Sequence, residues 1–546
     1  DIDTTVEVKI NDLVIPINID KIQMSTILDL DSESRIQERD GNYVLIENGD
    51  INSGEINVPA ISIAPPTIQP VSTDINLMSA GKLETAGTSV TVGPLLSSFE
   101  YEYNNVDASI TAMQSVGTDN FVIKVSLSLA NANSTLNTNI KLNNLTLQLP
   151  TGLEGTVSNG TYDAATGKVT FGEVTMTNGQ FDFDINVSKI NIVSPVTTFD
   201  AATHTFRFAT EIGIESIEVD LASLAGAVTP GAKMKLSVDF VLSQLNISTF
   251  TGSINYKLDG FSINPVNLDD LPDVLTQDET NIGISNPQIY LQLNNPLANY
   301  GLYATANMAI TPYRNGEAGA VASPDNGTFA IGEGSATEGK YNYCLSPEGA
   351  SPSMSGEYPN AKDIKFTSLS NILSGAGLPT SLTIDIENPA IPNLPVTNFA
   401  LGANLGNVNG KYTFFAPLAF TADSKIVYTG TTDGWDNEDI EDLTINTLEV
   451  TVTVKNDLPI SLELSATPLD KNGNKISTTK IEGAKIEGGK TQDVTIRATG
   501  TITDLNGLEY KAVGTIANPG VAIGPKQSIE LSKIRAKVSG SYIKTL

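Results

Sequence analysis

The stretch Phe181-Asp182-Phe183-Asp184-Ile185-Asn186-Val187-Ser188 decides how this chain is read. Every apolar residue falls on an odd position and every polar residue on an even one. A β-strand built from it turns one face to a core and the other to water. The alternation returns in Leu236-Ser237-Val238-Asp239-Phe240, in Leu448-Glu449-Val450-Thr451-Val452-Thr453-Val454 and in Leu462-Glu463-Leu464. Across Ile212–Asp220 it slips at Glu215-Ser216, which predicts a β-bulge. Asn159-Gly160, Asn178-Gly179, Asn326-Gly327, Asn472-Gly473 and Asn506-Gly507 supply the turns. The predicted fold class is all-β: several antiparallel β-sandwich-like modules with a few short helices.

Two internal echoes extend this pattern. Tyr162-Asp163-Ala164-Ala165-Thr166 and Phe199-Asp200-Ala201-Ala202-Thr203 are each followed by alternating residues ending in Phe171 or Phe208. An Asp at that place can bond its own backbone and close a turn, so both read as hairpins, either consecutive ones of one sheet or two with a shared turn solution. Leu268, Leu271, Val274 and Leu275 share their spacing with Phe366, Leu369, Ile372 and Leu373, which predicts two short helices plugging the ends of β-layers. Pro272 fits the first turn of the former, where its missing N–H costs little.

With 546 residues, the chain is long enough for several domains. Composition divides it into an N-terminal β unit over 1–70 with a Pro-rich exit, a long-stranded antiparallel domain over 71–265, a second β domain with short helices over 266–434, and a C-terminal immunoglobulin-like sandwich over 435–546. Within the third, the Gly- and Pro-rich residues 314–360 read as a long irregular insertion. Charge sharpens the last boundary. The chain has 32 Lys+Arg against 62 Asp+Glu, a net charge of −30, yet residues 443–546 carry 13 and 10, a net of +3.

So few cations argue against nucleic acid and anionic lipid surfaces as partners. Cys344 is the one cysteine, which excludes an internal disulfide; it reads as a small apolar strand residue. His204 stands alone, with no second His and no nucleophile motif, and reads as a strand or turn residue. Motifs for a Ser nucleophile, a phosphate loop and a dinucleotide fold are missing. Asp433, Asp436, Glu438 and Asp439 crowd beside the one tryptophan, Trp435; the segment reads as a solvated linker, with a bound Ca²⁺ as the other reading. Asp470, Asn472 and Asn474 fail as a Ca²⁺ loop because Lys475 stands where the loop needs Gly. No catalytic, cofactor-binding or metal-ligating residue is assigned, and no cofactor is expected. Phe171, Phe181, Phe183, Phe206, Phe208, Phe240, Phe250 and Phe261 either fill a sandwich core or line an apolar tunnel. No window approaches a membrane-spanning length of apolar residues.

In style the chain resembles the large lipid-anchored, β-rich surface proteins of Bacteroidales-type bacteria. The resemblance lies in Asn11-Asp12-Leu13-Val14-Ile15-Pro16-Ile17-Asn18-Ile19-Asp20, Asp40-Gly41-Asn42-Tyr43-Val44-Leu45 and Leu469-Asp470-Lys471-Asn472-Gly473-Asn474. It implies export and an outer-membrane or extracellular station, with any lipid anchor upstream of Asp1, but no activity. The expected function is that of a non-enzymatic cell-surface protein whose tandem β modules adhere to or interact with an extracellular protein or glycan. The alternative is a carrier that holds a lipid or other hydrophobic ligand in a β-walled cavity. A carboxylate-dependent glycan enzyme is the third reading; one tryptophan leaves little for sugars to stack on.

Overall fold

The alternating stretch around Phe183 forms the strand Gln180–Asn191, with Phe183, Ile185 and Val187 buried and Asp182, Asp184, Asn186 and Ser188 exposed. The computed structural model describes residues 5–17, 21–28, 30–76, 89–131, 140–220, 233–376, 378–432, 443–502 and 505–545. The described strands form six sheets, antiparallel except where Tyr341–Ser346 runs parallel to Lys362–Lys365. The all-β expectation holds.

Two of the sheets make a sandwich. Gln180–Asn191 pairs with Leu153–Val157 and with the long strand Ile110–Asn131, which continues to Lys233–Leu242 and Leu245–Ile254. Facing it, Thr205–Asp220 pairs with Lys141–Gln148 on one side and with Ser89–Val92 and Leu95–Tyr103 on the other. Rings from the two layers meet between them, Phe171 against Phe183 at 4.7 Å and Tyr101 against Phe121 at 5.6 Å. The predicted bulge is present. Thr146 lies opposite Ser216 and Leu147 opposite Ile214, so Glu215 has no partner across the ladder.

The other four sheets share a second core. Gln288–Leu293, Asn407–Pro417 and Asn42–Glu55 are central to one, and Ala304–Arg314 with Ser381–Ala390 to the next. The third is built around Lys425–Thr432, Leu505–Ile516 and Ile460–Asp470, and the fourth around Ser528–Thr545 and Leu443–Asn456. Tyr341–Ser346 is buried at all six positions, because Met354 and Tyr358 cover the outer face of its sheet. A strand buried on both faces loses the alternation that a half-wet one shows.

The sheets cross the composition boundaries. The described residues of 1–70 build no separate sheet: Thr5–Ile17 pairs with Ser528–Thr545, Asn42–Glu55 with Asn407–Pro417, and Ile61–Ile63 with Leu245–Ile254. The division after residue 265 cuts through the strand Phe261–Asn267. The stretch expected as an irregular insertion, 314–360, contributes Thr328–Ile331 and Tyr341–Ser346 to two sheets. The sheets to which 435–546 contributes are completed by Thr5–Ile17 on one and by Lys425–Thr432 on the other, so this segment is not self-contained. Charge and Gly/Pro content report solvation and turns along the chain. Ladder partners are chosen by fit between apolar faces, and here Thr5 lies opposite Thr545.

Candidate functional site

Small residues alternating along one strand create the site. On Leu505–Ile516, Ala512 and Gly514 point to the same face, since side chains two apart share a face. Their neighbours across the ladder are large: Ile426 and Leu462 lie opposite Gly514, and Tyr428 and Leu464 opposite Ala512. Low residues between two high rows leave a trough along the central strand. At Gly514 an added Cβ would sit 3.0 Å from Ile460 Cγ2 and 3.6 Å from Ile426 Cβ, so the floor is narrow.

Two short helices wall the trough. Met24–Leu28 contributes Met24, Ile27 and Leu28, and is tied down by the Met24 N–H donating to the Gln527 carbonyl at 2.9 Å. Asp273–Thr276 contributes Val274 and Leu275, and its turn closes where the Leu275 N–H donates to the Pro272 carbonyl at 2.8 Å. The cavity measures about 390 Å³. Its lining is apolar apart from Thr26 and the Tyr428 hydroxyl. Ile27 and Tyr428 are 44% and 42% exposed, which opens the trough to solvent. This size and character match those of pockets that take small apolar molecules.

A second, polar cleft of about 410 Å³ lies behind a thin partition. Ala419 and Ala522 form an isolated bridge between two connecting segments and face the cleft. The next residues, Phe420 and Ile523, face the trough. Beneath the cleft, Tyr290 donates to Gln288 Oε1 at 2.5 Å, and Gln288 Nε2 donates to Ser351 Oγ at 2.8 Å. Burial holds the Tyr290 hydroxyl far above its ordinary pKa, so it remains a neutral donor.

The residues singled out in the sequence are mostly structural. Of the eight phenylalanines, Phe171, Phe183, Phe206, Phe208, Phe240 and Phe250 are buried in the sandwich core and Phe181 packs against it, so they line no tunnel. Nothing is described for the side chain of Phe261. Cys344 is buried in Tyr341–Ser346, and burial pushes its thiol up to about 11. His204 occupies the turn between Thr197–Asp200 and Thr205–Asp220, at φ 53°. Asp470 accepts from the N–H groups of Asn472 and Asn474, both at 2.8 Å, and so closes a turn. The acidic residues of 433–442 lie outside the described residues. Among the described residues, no group of three or more His, Cys, Asp or Glu side chains is gathered to hold a metal. No described helix is long and apolar enough to cross a membrane. Sequence reasoning missed Ala512 and Gly514 as site residues. Their only signal is two small residues spaced two apart in Tyr510-Lys511-Ala512-Val513-Gly514, legible only once both neighbouring strands are known.

No protein-family profile matches the chain, and no curated protein matches it. Among solved structures it is similar to a Parabacteroides distasonis protein described as secreted. The TM-score is 0.36 and the identity 13%, over 53% of this chain and 89% of that one. The triple jelly roll protein of an archaeal virus turret follows at TM-score 0.14 and 10% identity, over 88% and 90%. A protein of infectious bursal disease virus, Gx strain, gives 0.15 and 9%, over 89% and 83%. Scores this low carry no argument about what this chain does or where it resides.

Proposed function

We propose that the chain is an exported, non-enzymatic binding protein whose ligand is a lipid or other hydrophobic molecule seated in the trough. The observation that carries this reading is the pairing of Ala512 and Gly514 with large residues on both flanking strands. Adhesion through an outer face asks nothing of an apolar recess. A carrier needs one. Large-to-small alternation costs packing, since side chains filling the space would bury more apolar area at roughly 25 cal/mol per Å². A ligand that occupies it recovers that term on binding.

Native mass spectrometry of the purified protein is expected to show a co-purified apolar adduct. A fluorescent fatty acid such as cis-parinaric acid is expected to bind saturably, with one site. Ala512→Phe, which fills the floor, is expected to abolish that site while leaving the melting temperature near the parent value. A parent protein that binds no probe, or a variant that binds as well as the parent, removes the carrier reading.

A further inference from the structure

The polar cleft has two stiff walls, and nothing in the apolar-ligand reading uses it. One wall is the tight turn between Ile36–Arg39 and Asn42–Glu55, where Asp40 and Gly41 both have positive φ, 51° and 80°. Two consecutive left-handed residues are the hairpin geometry that matches strand twist. The turn is also braced from behind: the Tyr43 N–H donates to the Ile523 carbonyl at 2.8 Å, and an added Cβ at Gly524 would meet the Gly41 carbonyl at 2.1 Å.

The opposite wall is the loop after Tyr341–Ser346. Side chains beneath it spend their hydrogen bonds on its backbone. The Ser351 N–H donates to Gln288 Oε1 at 3.1 Å and to the Tyr290 hydroxyl at 2.9 Å. Asn286 Nδ2 donates to the Gly349 carbonyl at 3.0 Å, and Asn286 Oδ1 accepts the Glu348 N–H at 3.1 Å. Gln288 is fully buried, so a loop that would otherwise sample many shapes is anchored on a rigid strand. Pre-organisation of this kind lowers the cost of binding.

Between the walls, Arg39, Asp40, Asn42, Glu348 and Ser353 bring donors and acceptors of both charge signs together, over an apolar floor to which the half-buried Pro417 and Ala522 contribute. We infer that this cleft binds a neutral oligosaccharide, whose hydroxyls pair with the rim and whose ring C–H faces rest on the floor. A ligand carrying many hydroxyls and no net charge uses donors and acceptors together. A strongly cationic partner would leave Arg39 facing a like charge, and an anionic one would face Asp40 and Glu348.

The test is a glycan array of neutral and acidic oligosaccharides, followed by calorimetric titration of the full chain with the best neutral binder. The expected result is saturable neutral-glycan binding that 0.5 M NaCl leaves unchanged. Arg39→Ala and Asn42→Ala are each expected to weaken it about tenfold or more. Ser353→Ala serves as the milder variant, with thermal melts checking that each protein is folded. Ala512→Phe, which closes the trough, is expected to leave glycan affinity unchanged, so this inference and the carrier reading fail separately. Absence of any neutral glycan binding, affinity indifferent to all three rim substitutions, or binding of oligolysine alone that salt suppresses would each overturn it.

Discussion

Asp163 and Asp200 show how much one side chain can settle. Asp163 accepts the Ala165 N–H at 2.9 Å and the Thr166 hydroxyl at 2.8 Å, and Asp200 accepts the Ala202 N–H at 2.9 Å. These bonds favour the ionised form. The Thr166 hydroxyl, then the Ala165 N–H, hold the Asp163 carboxyl below its ordinary value of 3.8, and for Asp200 the Ala202 N–H leads, followed by the Thr203 hydroxyl. A depressed folded-state value contributes stability above the unfolded value, and that contribution disappears as pH falls through the folded one. The double variant Asp163→Ala/Asp200→Ala is therefore expected to be less stable than the parent in urea at pH 7. The gap should narrow progressively as pH is lowered from 3.8. A gap independent of pH would mean that the turns do not depend on the carboxylates. Both turns were legible in the sequence because an Asp bonding two residues ahead is a local event. Their placement was not: the two hairpins lie at opposite edges of one sheet.

Elements were legible where one face is wet, and obscure where both are dry. The slip at Glu215-Ser216 became a bulge, and the partner strand breaks at the same level: Ser89–Val92 pairs beyond it and Leu95–Tyr103 before it. Gly93 sits at that break with φ 133°, where an added Cβ would lie 2.4 Å from the Glu215 carbonyl oxygen. Gly93→Ala is expected to destabilise the sandwich by about 1–3 kcal/mol, read as a shifted midpoint in chemical denaturation. An unchanged midpoint would show that the bulge yields freely. The second echo also resolved at this scale. Leu268, Leu271 and Leu275 are buried, as are Phe366, Leu369, Ile372 and Leu373. The first set lies about the helix Asp273–Thr276 and the second about the 3₁₀ turn Thr367–Asn371, and the strands directly after them, Asn281–Gly283 and Ser374–Ala376, pair with each other. Tyr341–Ser346 lies inside the stretch expected to be irregular, although Cys344 itself reads as a strand residue; burial on both faces erases the period that would have extended that reading.

Over the whole molecule, the acidic and near-neutral parts are woven together. Lys511 reaches Glu279 at 2.6 Å and Lys21 reaches Glu530 at 2.8 Å, joining residues from either side of the charge boundary. These pairs are exposed, so they add little to stability. The shared sheets matter more. A fragment spanning 435–546 would leave Ser528–Thr545 without Thr5–Ile17, and Leu505–Ile516 without Lys425–Thr432. Unpaired edges of that length invite association. The fragment is expected to aggregate or to melt without cooperativity, whereas the full chain unfolds cooperatively; gel filtration and thermal circular dichroism distinguish the two. A monomeric, cooperatively melting fragment would restore an independent C-terminal domain. By itself the sequence determined the β class, the Asx turns, the bulge and the short apolar helices, because each depends on residues within a few positions of one another. Tertiary structure alone decided which strands share a sheet, and with that the trough at Ala512 and Gly514 and the cleft between Arg39 and Glu348. Those features exist only where backbones tens to hundreds of residues apart meet, and contacts at that range leave no periodic mark on either segment.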